Sequence, residues 1–153
     1  VALSATKEIT GWDFGTGKQL PVSFSVPDCP EAVTLAAIGG GRRVASPAGD
    51  GYLTVRSWPG GAEVDRLDLG DRAEFVYTLE CSPDGRHLAA TGRRGRTVVF
   101  DAADGRPVAT LPGAPDGIFY ATGAFSPDGR YLGVGTGVGL RVWEVGKWAA
   151  PET

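Results

Sequence analysis

Cys81-Ser82-Pro83-Asp84-Gly85-Arg86-His87-Leu88 recurs 44 residues later as Phe125-Ser126-Pro127-Asp128-Gly129-Arg130-Tyr131-Leu132. One period earlier, Ile38-Gly39-Gly40-Gly41-Arg42-Arg43-Val44 keeps the same order of apolar residue, turn, basic residue, apolar residue. Repetition at such a period marks a chain built from stacked copies of one small unit. The turn chemistry names the unit. Ser suits the first turn position, Pro presets φ at the second, Asp tolerates the third, and Gly accepts the exit geometry. Apolar runs flank the turn, Phe75–Leu79 before one copy and Leu88–Thr91 after it, so each copy reads as a hairpin.

A second anchor lies between the hairpins. Trp12-Asp13, Trp58-Pro59, Phe100-Asp101 and Trp143-Glu144 each close a short run rich in β-branched residues and precede a Gly-containing turn. Leu20, Leu67 and Leu111 follow at matching distances. Each unit is therefore strand, tight turn, strand, loop, strand ending in an aromatic, turn, strand: a four-stranded antiparallel meander. One such sheet is too small to bury its own faces, whereas radial stacking buries both. The expectation is an all-β chain, a partial β-propeller of about three and a half four-stranded blades. Residues 1–20 form a truncated first blade from its second and third strands onward, 21–67 a diverged repeat, 68–111 a full repeat, and 112–153 a repeat without a clear fourth strand. The innermost strands are the small-residue runs Val33–Ile38 and Ala121–Phe125. Glu80, beside Leu79 and Cys81, is the misfit and is expected to face a watery central channel or to pair with an arginine.

Composition agrees. Across 153 residues there are 24 Gly and 11 Pro, which leaves little room for long helices. The net charge of −3 gives no global drive toward nucleic acid or anionic membrane, so neither is expected as a partner. No apolar run reaches membrane-spanning length. The chain has no Asn, hence no N-glycosylation acceptor, and no Met. It reads as an excised segment or processed product, with a cytoplasmic location as the working expectation. Cys29 and Cys81 are not spaced as a redox or zinc pair, and one histidine, His87, cannot complete a zinc set. The expectation is two buried thiols and no metal.

No catalytic constellation emerges. A nucleophile activated by a base would have to use His87, which occupies a position held by Tyr131 in the other copy. The Gly-rich run Gly133–Gly139 does not meet the dinucleotide fingerprint and joins two strands. Asp84, Asp104 and Asp128 are explained by turns, and the cluster Asp65, Asp68, Asp71 lacks calcium-loop spacing. No catalytic residue and no cofactor are expected.

Ser-Pro-Asp-Gly-Arg followed by a small-residue strand and then Val-x-Trp-Asp/Glu, as in Leu140-Arg141-Val142-Trp143-Glu144 and Ile9-Thr10-Gly11-Trp12-Asp13, resembles the bacterial-type WD40 repeat. The likeness covers nearly the whole chain, with 82–111 and 126–148 the strongest copies. The Gly-His that precedes the family's inner strand is absent, and the loop Asp is replaced around Arg94 and Gly137, although Asp50 keeps it in the diverged copy. The family's buried His–Asp–Ser/Thr–Trp network therefore cannot form in the two best copies. Propellers of this family usually close with seven blades. The expected arc is either a piece of a larger ring or one half of a ring made by two copies.

The resemblance implies a non-catalytic protein- or peptide-binding scaffold, and a bacterial source fits the Arg/Ala/Gly/Asp-rich composition. It also implies a partner face, formed by the loop between second and third strands together with the loop entering the first strand. Arg93, Arg94 and Arg96 lie in one such loop. Asp50 and Tyr52 occupy the comparable loop of the neighbouring repeat, and Asp116, Ile118 and Phe119 an adjacent entry loop. Three guanidiniums in four residues suit an acidic or phosphorylated peptide. The alternative is an enzyme segment with a small-molecule site at the central channel, for which Glu80 is the one candidate group.

Overall fold

The computed structural model of the chain describes residues 2–3, 8–13, 15–25, 34–72, 75–114 and 120–148. Those residues contain no α-helix. Four antiparallel meanders follow one another: β1 (Ala2–Leu3), β2 (Glu8–Trp12) and β3 (Gln19–Ser25); β4 (Ala36–Ile38), β5 (Arg43–Pro47), β6 (Tyr52–Ser57) and β7 (Glu63–Asp68); β8 (Val76–Cys81), β9 (His87–Gly92), β10 (Thr97–Asp101) and β11 (Pro107–Leu111); and β12 (Ala121–Phe125), β13 (Tyr131–Thr136) and β14 (Gly139–Glu144). Strands pair only with sequence neighbours, as a partial propeller requires. The first sheet starts at the second-strand position and runs through Ser25; the fourth has three described strands.

Registers align the repeats residue by residue. Ala45 pairs with Val55, Ala89 with Val99 and Gly133 with Val142. By the same alignment the third strand ends in Trp12, Arg56, Phe100 and Trp143. The second copy thus departs from the sequence reading: Arg56, not Trp58, holds the aromatic position. Its guanidinium is buried, donates to Ser46 Oγ at 3.4 Å and faces Glu63 at 3.7 Å. Trp58 lies beyond the strand, half-buried against Ile9 and Val44, where a Cβ on Gly11 would stand 2.5 Å from its ring.

The core lies between sheets. Alternation sends Ala45, Leu53, Val55 and Leu67 of the second sheet toward Leu79, Leu88, Val98 and Phe100 of the third. Ala89, Val99 and Leu111 on the opposite face of the third meet Leu132, Val134 and Trp143 of the fourth. Period-two strands thus bury both faces of one thin sheet. In each of these two junctions an aromatic of the later sheet enters a floor of Ala and Val on the earlier one.

Inner strands are joined more directly. Leu79 N–H donates to Thr34 Oγ1 and Gly123 N–H to Thr78 Oγ1, both at 3.0 Å. The threonines are 44 residues apart, and each ties its sheet to the next. Gly123 is required by this approach, because a Cβ there would lie 2.4 Å from Thr91 Oγ1.

The hydrogen-bond network missing from the sequence is missing in space. Trp143 is buried, yet its Nε1 finds no partner among the described residues; Thr91 and Thr97 hydroxyls bond each other at 3.1 Å instead. Since Phe100 fills the equivalent site, Trp143→Phe is expected to change unfolding free energy by less than about 1.5 kcal/mol. Trp143→Ala should cost about 3–5 kcal/mol. Urea denaturation of the two variants beside the wild type checks the contrast.

Candidate functional site

Antiparallel meanders sort the connections into two ends. Tight turns, between first and second strands and between third and fourth, lie at one end. The loops between second and third strands and those entering the next sheet lie at the other.

The turn end is satisfied locally. Ser82 Oγ donates to Asp84 Oδ1 at 2.6 Å, which also accepts Arg86 N–H at 3.0 Å, while His87 N–H donates to Ser82 Oγ at 2.9 Å. Gly85 has φ of +73° and Gly129 +71°, the left-handed region that glycine occupies without strain. Ser126, Asp128, Arg130 and Tyr131 repeat the pattern at 2.6, 3.0 and 3.0 Å. Asp13 and Asp101 organise the other turns by accepting Thr16 and Ala103 N–H, each at 2.7 Å. An open hollow of about 480 Å³ at this end is lined by Gly39, Arg43, Arg86, His87, Asp101 and Ala102. Arg43 there already donates to the Ala102 carbonyl at 2.7 Å. His87 is half-buried with its ring edge-on to Trp148 at 5.7 Å, and its Nδ1 has no partner among the described residues.

The loop end holds the residues singled out from sequence. Arg93 and Arg94 are exposed in a 3-10 turn joining β9 to β10. Arg94 has φ of +58°, and its carbonyl accepts Ala114 N–H at 2.7 Å. The turn is thus fastened to the segment entering the fourth sheet. On its other side Arg96 is half-buried and donates to the Leu69 carbonyl at 2.8 Å, so it builds the rim. Leu69 N–H in turn donates to the Gly51 carbonyl at 2.9 Å, placing Asp50 and Tyr52 on the same rim. Their side chains are engaged: Asp50 Oδ2 lies 2.5 Å from Arg66 Nη2, and Tyr52 is covered by Arg66 at 4.6 Å and Arg72 at 4.4 Å, within cation–π range. Asp116, Ile118 and Phe119 lie outside the described residues, as do Val33 and Cys29.

Sequence reasoning missed the aromatics of this end. The ladder between β8 and β9 slips between Val76 and Thr78, leaving Tyr77 as the extra residue of a bulge, a device that re-aims a side chain. Its ring lies 4.9 Å from Phe75 and 5.4 Å from Tyr120, and Tyr120 is 74% exposed. Val76 pairs with Gly92, so this cluster adjoins the arginine turn. The 44-residue spacing runs unbroken through this stretch, so the sequence carried no signal of the bulge.

Several expectations can be located. Glu80 is exposed, and the protein crowding its carboxyl raises its pKa above the ordinary value. It has no ion-pair partner among the described residues. Cys81 is a free, half-buried thiol, pushed upward first by burial and then by Asp84 and Glu80. Trp12, the first of the recurring strand-ending aromatics, is 42% exposed. Among the described residues no three His, Cys, Asp or Glu side chains are grouped to hold a metal, and no helix is long and apolar enough to cross a membrane.

Relatives are consistent with the architecture. The chain is similar to coronin-7 of Pongo abelii, 40% identical over 52% of this chain and 9% of that protein. It is similar to WD repeat-containing protein 1 of Xenopus tropicalis, 29% identical over 58% of the chain and 15% of the relative. The small ribosomal subunit protein RACK1 of Caenorhabditis elegans is 31% identical over 46% and 21%. These are WD repeat proteins, and the chain spans less than a quarter of the length of each. No protein-family profile matches the chain.

The turn carboxylates carry a pH signature. Hydrogen bonds from Ser82 Oγ and Arg86 N–H hold Asp84 below its ordinary 3.8, and those from Ser126 Oγ and Arg130 N–H do the same for Asp128. A folded-state pKa below the unfolded one means the unfolded chain binds more protons, so stability falls as pH drops below the ordinary value and through the folded one. Chemical denaturation from about pH 5 to about pH 2 should show this loss. Asp84→Asn with Asp128→Asn should reduce it, the remainder coming from Asp13, Asp50 and Asp101, whose carboxyls hydrogen bonds also hold below 3.8.

Proposed function

We propose that the chain is a WD40-like propeller segment of bacterial type, acting as a non-enzymatic protein- or peptide-binding scaffold in the cytoplasm. Its binding surface is the loop end. The observation that carries this reading is the pairing of an arginine turn, fastened on both sides to neighbouring segments, with the Phe75–Tyr77–Tyr120 cluster beside it. Arginine and tyrosine are favoured at interface hot spots, and a prefastened loop loses little entropy on binding. The similarity to WD repeat proteins supports a scaffold role in general terms.

Acidic or phosphorylated peptides are the partner class that this rim fits. Arg93 and Arg94 supply planar forks for carboxylate or phosphate, and the rings supply apolar area. Arg96, Asp50 and Tyr52 hold the rim in shape, and Asp116 and Phe119 are added to the binding surface from the sequence alone. The segment completes its ring through further blades of a longer chain or through self-association.

Charge reversal tests the assignment. Arg93→Glu with Arg94→Glu should lower affinity for a fluorescent acidic or phosphorylated peptide at least tenfold and reduce its salt dependence, measured by anisotropy. Arg86→Glu, at the opposite end, should leave both unchanged. Equal affinity in all three proteins would remove the arginine turn from the site.

A further inference from the structure

We propose that Arg56, with Ser46 and Thr54 beside it, forms an oxyanion-binding site in the junction between the first and second sheets, fit for a phosphate or a carboxylate. The site is independent of the peptide-binding rim. Arg56 closes the third strand of the second sheet and so lies toward the turn end.

The registers show how this junction differs from the next. The third sheet turns Leu88, Ala90, Val98 and Phe100 toward the second, and all four are buried in the shared core. The aligned positions of the second sheet are Val44, Ser46, Thr54 and Arg56, with Val44 paired to Arg56 and Ser46 to Thr54. Val44 packs against Ile9 of the first sheet, so the other three share the face turned toward that sheet. Three apolar positions are thus replaced by two hydroxyls and a guanidinium, all buried.

A guanidinium carries five N–H donors and stays charged inside a protein. Burying it is costly unless close partners meet those donors. The Arg56 side chain is 10% exposed, yet both groups it meets are distant. Nη1 donates to Ser46 Oγ at 3.4 Å, and Nη2 stands 3.7 Å from Glu63 Oε2, against about 2.7–2.9 Å for a full charge-assisted bond. The Glu63 side chain is itself 49% exposed. Arginines that tie sheets together elsewhere are better met. Arg43 and Arg96 reach carbonyls of an adjoining sheet or connecting segment at 2.7 and 2.8 Å. Among the described residues, His87 Nδ1 and Trp143 Nε1 are the side-chain atoms sealed from solvent without a hydrogen bond. The unbonded nitrogens of Arg56 therefore share in the small exposed part of that side chain. A cation nine-tenths buried faces a narrow opening with donors left over.

An oxyanion completes this set. Its oxygens accept from the planar Arg56 fork. The Ser46 and Thr54 hydroxyls donate as well as accept, so both can turn a proton toward it. Glu63, reaching across from β7, competes for the same fork.

Thermal unfolding of the full chain tests the site, with sodium phosphate or sodium acetate replacing sodium chloride at constant ionic strength. A ligand of the folded state raises Tm saturably, and at tenfold its dissociation constant the wild type should gain about 3 °C or more. A response to phosphate alone assigns the site to phosphate; a response to both extends it to carboxylates. Arg56→Met puts an apolar chain in place of the buried cation, an exchange that folded proteins tolerate, and should lose the response. Glu63→Gln removes the competing charge and leaves Arg56 in place, so half-maximal stabilisation should come at an anion concentration lower by about threefold or more. No saturable rise with either anion overturns the proposal. So does an equal rise in Arg56→Met, which is general salt exclusion from the surface. A Glu63→Gln protein that binds no more tightly also overturns it, because Glu63 is then no competitor for the fork.

Discussion

A four-stranded sheet of this length cannot exclude water from either face by itself, and the whole structure follows from how that deficit is met. Each described junction buries apolar side chains from two sheets, and no sheet has a core of its own. Leu53, Leu88, Val99, Phe100 and Leu132 are all essentially inaccessible, yet each owes this to a neighbour. Stability in such an array is roughly a sum of nearest-neighbour interfaces, so damage to one junction weakens both sheets that share it. Hydrophobic burial is non-directional; the threonine-to-backbone bonds at Thr34 and Thr78 add the direction. They fix the height at which one inner strand meets the next.

Loss of the buried polar network alters how the blades are held without altering what they are. With Trp143 Nε1 unpartnered and Thr91 and Thr97 bonded to each other, specificity passes to contacts between sheets. Arg43 reaches the Ala102 carbonyl, Arg96 that of Leu69, and Arg141 those of Pro112 and Gly113. In each case a guanidinium satisfies a carbonyl of the adjoining sheet or its connecting segment. A charged donor to a backbone acceptor is worth more than a neutral bond. Several arginines are thereby committed to architecture, Arg96 of the arginine turn among them.

Much of the fold could be read from the residues because turn chemistry is local. Ser-Pro-Asp-Gly dictates its own geometry, and the 44-residue spacing then orders the strands. The Ser82–Asp84 and Ser126–Asp128 bonds deepen that reading without changing it. Errors arose where identity and position part company. Trp58 looked like the repeat aromatic because it is a tryptophan near the right place, but pairing of Arg43 with Ser57 sets Arg56 in the aromatic slot. A buried arginine at such a position has no sequence signature, since its tolerance depends on Ser46 and Glu63 across the sheet. The candidate site was legible in location and less so in detail. Loop membership placed Arg93, Arg94, Arg96, Asp50 and Tyr52 at one end, but which side chains are occupied depends on partners in other repeats. Tyr77 was hidden by a bulge, which shifts the parity on which strand reading relies.

The division between the two ends explains why a partner surface belongs where the arginine turn is. At the turn end, side chains are consumed by their own hairpins: Ser and Asp accept and donate within a few residues, and the geometry repeats almost unchanged. Around the two Ser-Pro-Asp-Gly turns the surface is nearly the same and offers little to distinguish one partner from another. At the loop end no internal rule fixes the sequence. Lengths and residues differ from sheet to sheet, Tyr52 lies under two guanidiniums, and Arg94 takes a left-handed conformation with its carbonyl fastened to Ala114. A binding face needs variety on a rigid support, and here the support is supplied by the hydrogen bonds that cross from one sheet to the next.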